Sequence, residues 1–202
     1  MILSNPEPLD HLHDFVWQSL RAAASSGRHP WSWGVITTAD RDGQPNARTV
    51  ILRQADEELA IIDFHTDVRS SKIAEMDNPS VAWVFYAESQ KIQLRLTGFA
   101  KVINGEQADS AWKQTTLRSR SAYVSLASPG SESRGEQPPS TEDRQVNQEE
   151  SERGREYFRV VRTFVREADL LYLRREGHVR ARLNYRDSHA TGPKASPSWL
   201  VP

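Results

Sequence analysis

One stretch of the chain alternates strictly between apolar and polar side chains, and this pattern constrains the fold more than any other feature. Between Lys91 and Val102, the apolar residues Ile92, Leu94 and Leu96 alternate with Gln93, Arg95 and Thr97. Successive side chains of a β-strand point to opposite faces of the sheet, so a period of two predicts a strand with one buried face. An amphipathic helix would instead repeat its apolar positions every three to four residues.

Further runs rich in β-branched and aromatic residues predict strands over 34–38, 47–53, 59–64, 81–86, 157–165, 169–174 and 178–185. An amphipathic helix is predicted over residues 8–25, and shorter helices over 70–76 and 106–115. Many strands with few helices favour a mainly β fold with flanking helices, built as an antiparallel barrel or sandwich of six or more strands. The two common glycine-rich phosphate loops are absent from the sequence.

The length and composition limit the classes of function. The 202 residues suit one domain or two very small ones. Because the formal charge is −1, we expect neither nucleic acid nor an anionic membrane as a partner. The chain has no cysteine, and its histidines lack the spacing of metal ligands, so no metal site is predicted. The first residues do not resemble a secretion signal, and we expect a cytoplasmic protein.

One polar segment, Ser128 to Gly154, differs from the rest of the chain. Val146 is its only large aliphatic residue. Such a segment buries too little apolar surface to offset the entropy lost on ordering, so we predict a mobile loop over 128–154. The loop is either an inert insertion, which we favour, or a lid over a ligand site.

Two neighbouring segments contain residues that suit an anion. A strand carries Arg48 and Arg53, and the next strand ends near Thr66, followed by a helix that begins near Ser70. The free backbone N–H groups of that helix, its serine hydroxyls and the Lys72 ammonium are suited to a phosphate, with Arg48 approaching from the neighbouring strand. Taken alone, this second segment is better explained by an ordinary helix cap beside a solvated lysine.

The order of four motifs resembles the pyridoxamine 5′-phosphate oxidase family. The motifs are R-T-V-I-L-R from residue 48, F-H-T-D-V-R-S-S-K from residue 64, N-P-S-V-A-W-V-F-Y from residue 78 and I-Q-L-R-L-T-G-F-A from residue 92. The resemblance covers about residues 30–103 and resumes near the C-terminus. It implies a single FMN-binding split-barrel domain that works as a homodimer with flavin sites at the interface.

The resemblance assigns roles to individual residues. FMN would be bound by residues on the strands, on the short helix and in the polar loop: Arg48, Thr49, Val50, Ile51, Phe64, His65, Thr66, Ser70, Ser71, Lys72, Gln93, Ser128 and Arg182. The small-molecule substrate would be oriented by Arg53, Arg118 and Arg180. No side-chain general base is evident, which fits hydride transfer directly to the flavin.

The chain departs from the family pattern mainly on the substrate side. Ser71 replaces one arginine of the phosphate helix, with Arg69 as its candidate replacement, and Ala127 replaces a flavin-binding glutamine. The lysine on the substrate side becomes Arg53, which keeps the charge and changes the geometry. The tyrosine and arginine that grip the substrate phosphate have only Arg118 and Arg120 as counterparts. The flavin half therefore resembles the family more closely than the substrate half does.

Three functions remain open. The first is an FMN-dependent oxidoreductase that takes a hydride from a small amine or alcohol and passes electrons to oxygen. The second is a flavin-binding or flavin reductase module without pyridoxamine 5′-phosphate oxidase activity. The third is a non-enzymatic split barrel that binds haem or a deazaflavin. Trp31 and Trp33 are expected to pack a barrel end or a dimer interface.

Overall fold

The computed structural model describes residues 9–76, 79–132, 146–185 and 195–202. Its strands are β1 (Trp33–Ala39), β2 (Pro45–Asp56), β3 (Ile61–Asp67), β4 (Ser80–Ala87), β5 (Ile92–Ile103), β6 (Phe158–Tyr172), β7 (Val179–Asn184) and β8 (Ser196–Leu200). Its α-helices are α1 (Leu9–Ser25), α2 (Ser71–Glu75), α3 (Glu106–Gln114), α4 (Leu117–Arg120) and α5 (Gln148–Glu152). These elements confirm the predicted mainly β fold with flanking helices.

Six antiparallel strands close into a barrel in the order β3-β2-β1-β4-β5-β6, and β6 pairs again with β3. Strands β7 and β8 extend the sheet beyond β6. Closure leaves the barrel strands without free edges, so their backbone groups are satisfied by neighbouring strands. The predicted antiparallel barrel is confirmed, and the sandwich alternative is excluded.

Strand β6 is one continuous element where the sequence predicted two strands, over 157–165 and 169–174. Its first half pairs with β3 and its second half with β7. Between them the register against β5 shifts, so Thr97 faces Glu167 while Gly98 faces Val165. Arg166 is therefore the extra residue of a β-bulge. The bulge lets one strand change partners, and it explains why the sequence pattern breaks there without the strand ending.

Helix α1 packs along β2 and β8, and its buried residues include Leu12, Val16 and Leu20. The indole N–H of its buried Trp17 donates to the hydroxyl of Tyr185 over 3.1 Å. Helix α1 has 17 residues with one apolar and one polar face, and it confirms the predicted amphipathic helix. Residue 8, where the predicted helix began, lies outside the described residues. None of the helices in the described ranges is both long and apolar enough to span a bilayer.

Part of the segment predicted as a mobile loop is helical. Within 128–154, helix α5 is capped by a reciprocal pair of hydrogen bonds between Asn147 and Glu150. Its residue Glu152 accepts a hydrogen bond from the buried Arg120 at 2.7 Å, and Val146 is only 6% exposed. Composition missed this helix because a capping box and one ion pair stabilise it in place of an apolar core. The predicted loop residues 133–145 lie outside the described residues.

Candidate functional site

The two faces of β2 differ because its side chains alternate. Arg48 and Val50 lie opposite the inward-facing Ile36 and Gly34, so they belong to the inner face. Thr49 and Ile51 lie opposite Val35 and Trp33 on the outer face. The four residues assigned to FMN on this strand therefore divide between the end of the barrel interior and its outer surface.

Lys72 lies in a small polar cluster at the end of β3. Its ammonium nitrogen is 2.6 Å from the Ser70 hydroxyl and 3.2 Å from the Thr66 hydroxyl. Ser70 begins helix α2 without capping it through its side chain, so its hydroxyl is available to the lysine. Ser71 is exposed. The structure thus brings together three of the residues assigned to FMN: Thr66, Ser70 and Lys72.

Arg48 reaches the same helix through a carboxylate that sequence reasoning missed. Its guanidinium donates to Glu75 Oε2 at 2.6 Å and also to the Thr38 hydroxyl, which in turn donates to Glu75. Glu75 is 8% exposed. The only sequence signal was its spacing, since Glu75 follows Lys72 by three residues and shares its face of α2.

The electrostatics of the cluster favour an anion. Burial lowers the pKa of Lys72, and the nearby Arg48 lowers it further, while Glu75 and Asp67 partly offset this effect. Two cations are thus held close together, and a bound phosphate would stabilise both of them. Hydroxyl and ammonium donors of this kind are suited to phosphate oxygens.

Arg69, the candidate replacement for the missing phosphate cation, is paired with a carboxylate in the structure. Its guanidinium forms a two-point pair with Asp67, with nitrogen–oxygen distances of 3.0 and 2.6 Å. It also lies 3.7 Å from the ring centre of Tyr157 and donates to the carbonyl of Ser125. These contacts connect β3 to the segment before β6, so Arg69 has a structural role.

Phe64 and His65 lie on opposite faces of β3. The Phe64 ring is fully buried in the barrel core, 5.5 Å from the ring centre of Trp83, so only its backbone is available to border a ligand. His65 lies outside the barrel, with its ring 4.7 Å from that of Phe158. Burial and the neighbouring Arg53 lower the pKa of His65 to about 4, so the imidazole is neutral at pH 7.

A cavity of about 400 Å³ opens on the outer side of β3, between the barrel and the α3–α4 segment. A register shift between Leu52 and Gln54 places both Arg53 and Gln54 on its wall. Asp63, His65 and Arg162 also line it. Of the three arginines predicted to bind substrate, Arg53 is therefore the one that the structure places at a cavity.

The other two arginines lie elsewhere. Arg118 is exposed on α4 and is outside the lining of this cavity. Arg180 forms a two-point pair with Asp169, with a shortest distance of 2.7 Å. Arg120, the other arginine considered for the substrate phosphate, is 4% exposed and binds Glu152 and the carbonyl of Trp112. None of these three arginines is part of the cavity lining that includes Arg53.

The remaining residues assigned to FMN are also separate from the Lys72 cluster. Gln93 on β5 and Arg182 on β7 lie on the outer face of strands that do not pair with β2 or β3. Arg182 lies 3.6 Å from Glu167, and its buried Nε has no partner among the described residues. Ser128 is exposed, and its carbonyl accepts from Ser131. One chain therefore places these residues on a different part of the surface.

Exposed apolar side chains cover the centre of the outer face. Val35 pairs with Val84, and Trp33 with Ile51, so all four lie outside the barrel, as does Tyr86. Trp33 is 56% exposed and Tyr86 44%. Trp31 instead is buried beside Phe15. Contiguous exposed apolar surface is typical of an interaction site.

Sequence comparison identifies relatives of this chain. Residues 15–104 match the family model described as pyridoxamine 5′-phosphate oxidase, FMN-binding domain. The chain is 32% identical over 135 residues to the pyridoxine/pyridoxamine 5′-phosphate oxidase of Rubrobacter xylanophilus, covering 66% of this chain and 59% of that protein. It is 33% identical over 115 residues to oxidase 2 of Arabidopsis thaliana, covering 52% and 58%. The matches thus span little more than half of these relatives.

Solved structures confirm the fold. A pyridoxamine 5′-phosphate oxidase-related, FMN-binding protein from Nostoc punctiforme has a TM-score of 0.69 at 18% identity, covering 98% of this chain and all of the other. PhzG from Burkholderia lata, solved with tetrahydrophenazine-1-carboxylic acid, has a TM-score of 0.66 at 18% identity, covering 98% and 94%. At this identity the likeness concerns the fold alone.

Proposed function

Because the chain belongs to the pyridoxamine 5′-phosphate oxidase-like family of FMN-binding proteins, we propose that it binds FMN and acts as an FMN-dependent oxidoreductase. The observation that carries the proposal is the cluster of Lys72, Ser70 and Thr66 beside Arg48. A half-buried ammonium with two hydroxyl neighbours and a second cation close by fits the phosphate of FMN.

The residues around the cluster would position the rest of the cofactor. Val50 follows Arg48 on the inner face of β2, and Thr49 and Ile51 face outward next to it. Phe64 and His65 lie on β3 directly before Thr66, so the Phe64 backbone and the neutral His65 ring are next to the cluster along the strand. The antiparallel pairing of β2 with β3 reaches Leu52 and Phe64, so the residues just before Leu52 and just after Phe64 would border the ribityl chain and the flavin ring.

When bound, FMN would supply a two-electron acceptor: a small amine or alcohol would give up a hydride and a proton to become an imine or carbonyl, and oxygen would take up the two electrons and two protons as hydrogen peroxide. The chain supplies binding and orientation. Arg53, on the cavity wall, would bind an anionic group of the substrate, and the neutral His65 beside it offers a hydrogen bond without adding charge.

We further propose a homodimer that forms through the outer face of β1, β2 and β4. Trp33, Val35, Val84 and Tyr86 form an apolar patch there, and burial in a dimer would remove it from water. Gln93 and Arg182 lie on the same outer face, away from the Lys72 cluster. A second chain seated on this face would bring its own Gln93 and Arg182 toward a flavin site that one chain leaves incomplete.

A second candidate is a flavin-binding or flavin reductase module without pyridoxamine 5′-phosphate oxidase activity. Two observations favour it: Arg118 and Arg180 are outside the lining of the Arg53 cavity, and Arg120 is paired with Glu152 on α5. A substrate phosphate would then meet few cations. Both candidates share FMN binding and differ in the electron donor.

The test begins with the visible absorption spectrum of the purified protein, with and without added FMN. Retention of FMN after gel filtration supports the shared proposal, and a protein that never retains flavin overturns it. Hydrogen peroxide release is then measured with pyridoxamine 5′-phosphate and with small primary amines and alcohols. Turnover of any of these supports the oxidase, whereas anaerobic bleaching by NADPH alone supports the reductase.

A further inference from the structure

The Arg53 cavity has few charged groups on its wall, and they do not act independently. Asp63 and Arg162 face each other across paired strands with nitrogen–oxygen distances of 3.0 and 2.8 Å. Asp63 is 2% exposed, so this pair neutralises itself inside the wall. It leaves the net charge of the lining unchanged.

Arg53 is different, because it forms no salt bridge with any acidic side chain in the described ranges, and it is exposed to the cavity. His65, its neighbour, is neutral at pH 7. The lining therefore carries one net positive charge. The rest of the polar wall consists of amides and hydroxyls: Gln54, Gln107, Ser110, Gln114, Thr115, Thr116 and Ser119.

Such a wall discriminates between anions by charge. A phosphate monoester carries about 1.5 to 2 negative charges at pH 7, so one arginine leaves much of that charge without a cation. A carboxylate carries one charge, and the planar guanidinium binds its two oxygens together. Amides and hydroxyls can donate to and accept from the neutral polar groups of a small molecule.

We propose that this cavity binds the carboxylate of a small organic acid with a single negative charge through Arg53, and that it disfavours a phosphate ester. The inference rests on the proposed function in taking this cavity as the substrate site. The volume of about 400 Å³ lies toward the lower end of the range for small-molecule pockets, about 300–1,000 Å³. The amide and hydroxyl groups of α3 and the α3–α4 link would orient the remainder of the acid.

Two probes with the same ring test this proposal: benzoate and phenyl phosphate, titrated calorimetrically at pH 7 into the protein both before and after FMN loading. The expected result is that benzoate binds about tenfold more tightly than phenyl phosphate, a difference of about 1.4 kcal/mol. Equal affinity, or tighter phenyl phosphate, overturns the proposal.

Variants locate the effect. Arg53→Gln should abolish the preference for benzoate, whereas the matched variant Arg28→Gln, at an exposed arginine outside the cavity lining, should keep it. Gln114→Arg adds a second cation to the wall and should raise the affinity for phenyl phosphate about tenfold. An unchanged preference in Arg53→Gln contradicts the proposal, even if the Gln114→Arg result agrees.

The outcomes separate the two proposals. Flavin retention is scored by the visible spectrum, and anion preference by heat released in the flavin-free protein. A protein that retains no FMN yet prefers benzoate overturns the proposed function and keeps a carboxylate site. A protein that retains FMN and prefers phenyl phosphate overturns only the carboxylate inference.

Discussion

Arg48 and Glu75 form a largely buried ion pair, with 2.6 Å between Arg48 Nη2 and Glu75 Oε2. The pair joins β2 to helix α2, the same helix that carries Lys72. It orients Arg48 and leaves it within electrostatic range of the lysine, whose pKa it lowers. The cation assigned to the phosphate is thus held in place by a carboxylate on the helix beside the site.

Lys72→Ala should weaken FMN binding by about 1.5–3 kcal/mol, the range for hydrogen bonds to charged groups. The reason is that this ammonium is the donor shared by the Thr66 and Ser70 hydroxyls. Fluorescence titration of FMN measures the change. Lys101→Ala, at an exposed lysine on β5, is the control and should bind FMN like the wild type. Equal affinities in the two variants would show that the phosphate lies elsewhere.

Arg48→Ala should lower the free energy of unfolding by about 1–3 kcal/mol, because it leaves the carboxylate of Glu75 buried without its cation. The double variant Arg48→Ala/Glu75→Gln should recover part of this loss, since the glutamine carries no charge. Urea denaturation at pH 7 provides the comparison. A double variant as unstable as the sum of its single variants would mean that the two side chains are not energetically coupled.

Acidification should destabilise the fold through His65. Its pKa in the folded protein, about 4, lies below its ordinary 6.5, so the unfolded chain binds the proton more readily. The stability that the neutral ring contributes is fully present above pH 6.5 and is lost as the pH falls toward 4, by up to about 1.4 kcal/mol per pH unit. Other groups titrate in this range, so the free energy of unfolding is measured by urea denaturation for the wild type and for His65→Gln. The difference between the two free energies is then followed over pH. A constant difference from pH 7 to pH 4 would refute the assignment.

Gly98→Ala should destabilise the barrel severely. A Cβ at this position would lie 2.0 Å from the backbone oxygen of Phe164, at the bulge where β6 changes partners. Backbone atoms on both strands would have to move, and we expect a loss of about 3 kcal/mol or more, as for other severe core lesions. Gly27→Ala is the matched control, since no atom lies within 4 Å of its Cβ. Thermal denaturation of both variants measures the effect. Similar melting temperatures would contradict the predicted clash at Gly98.

Tyr86→Arg should weaken the proposed homodimer, because it places a charge within the apolar patch that the partner would cover. Light scattering during gel filtration would then show a shift toward monomer with an unchanged circular dichroism spectrum. Leu59→Arg, at another exposed apolar residue in the turn between β2 and β3, should leave the mass unchanged. A wild-type protein that is already monomeric would refute the homodimer directly.

Local patterns predicted much of the fold. The alternation around Leu94 and Leu96 identified β5, and the apolar spacing from Leu12 to Leu20 identified α1, because each pattern reflects one buried face. Strand β8 was not predicted from the sequence. It contains Pro197 and few apolar residues, so its pairing with β7 is seen only in the folded chain.

The sequence by itself determined the β-strands of a mainly β fold and the succession of Thr66, Ser70 and Lys72, since both depend on residues near one another along the chain. Closure into a barrel depends on the pairing of β3 with β6, which are far apart in sequence, so only the tertiary structure decided it. The tertiary structure decided which charges stay available. Whether an arginine meets a carboxylate depends on contacts between separate elements of the fold, and such contacts pair Arg48 with Glu75, Arg162 with Asp63 and Arg180 with Asp169. Arg53 faces the cavity because the register shift between Leu52 and Gln54 places it on the wall, and no salt bridge in the described ranges involves it.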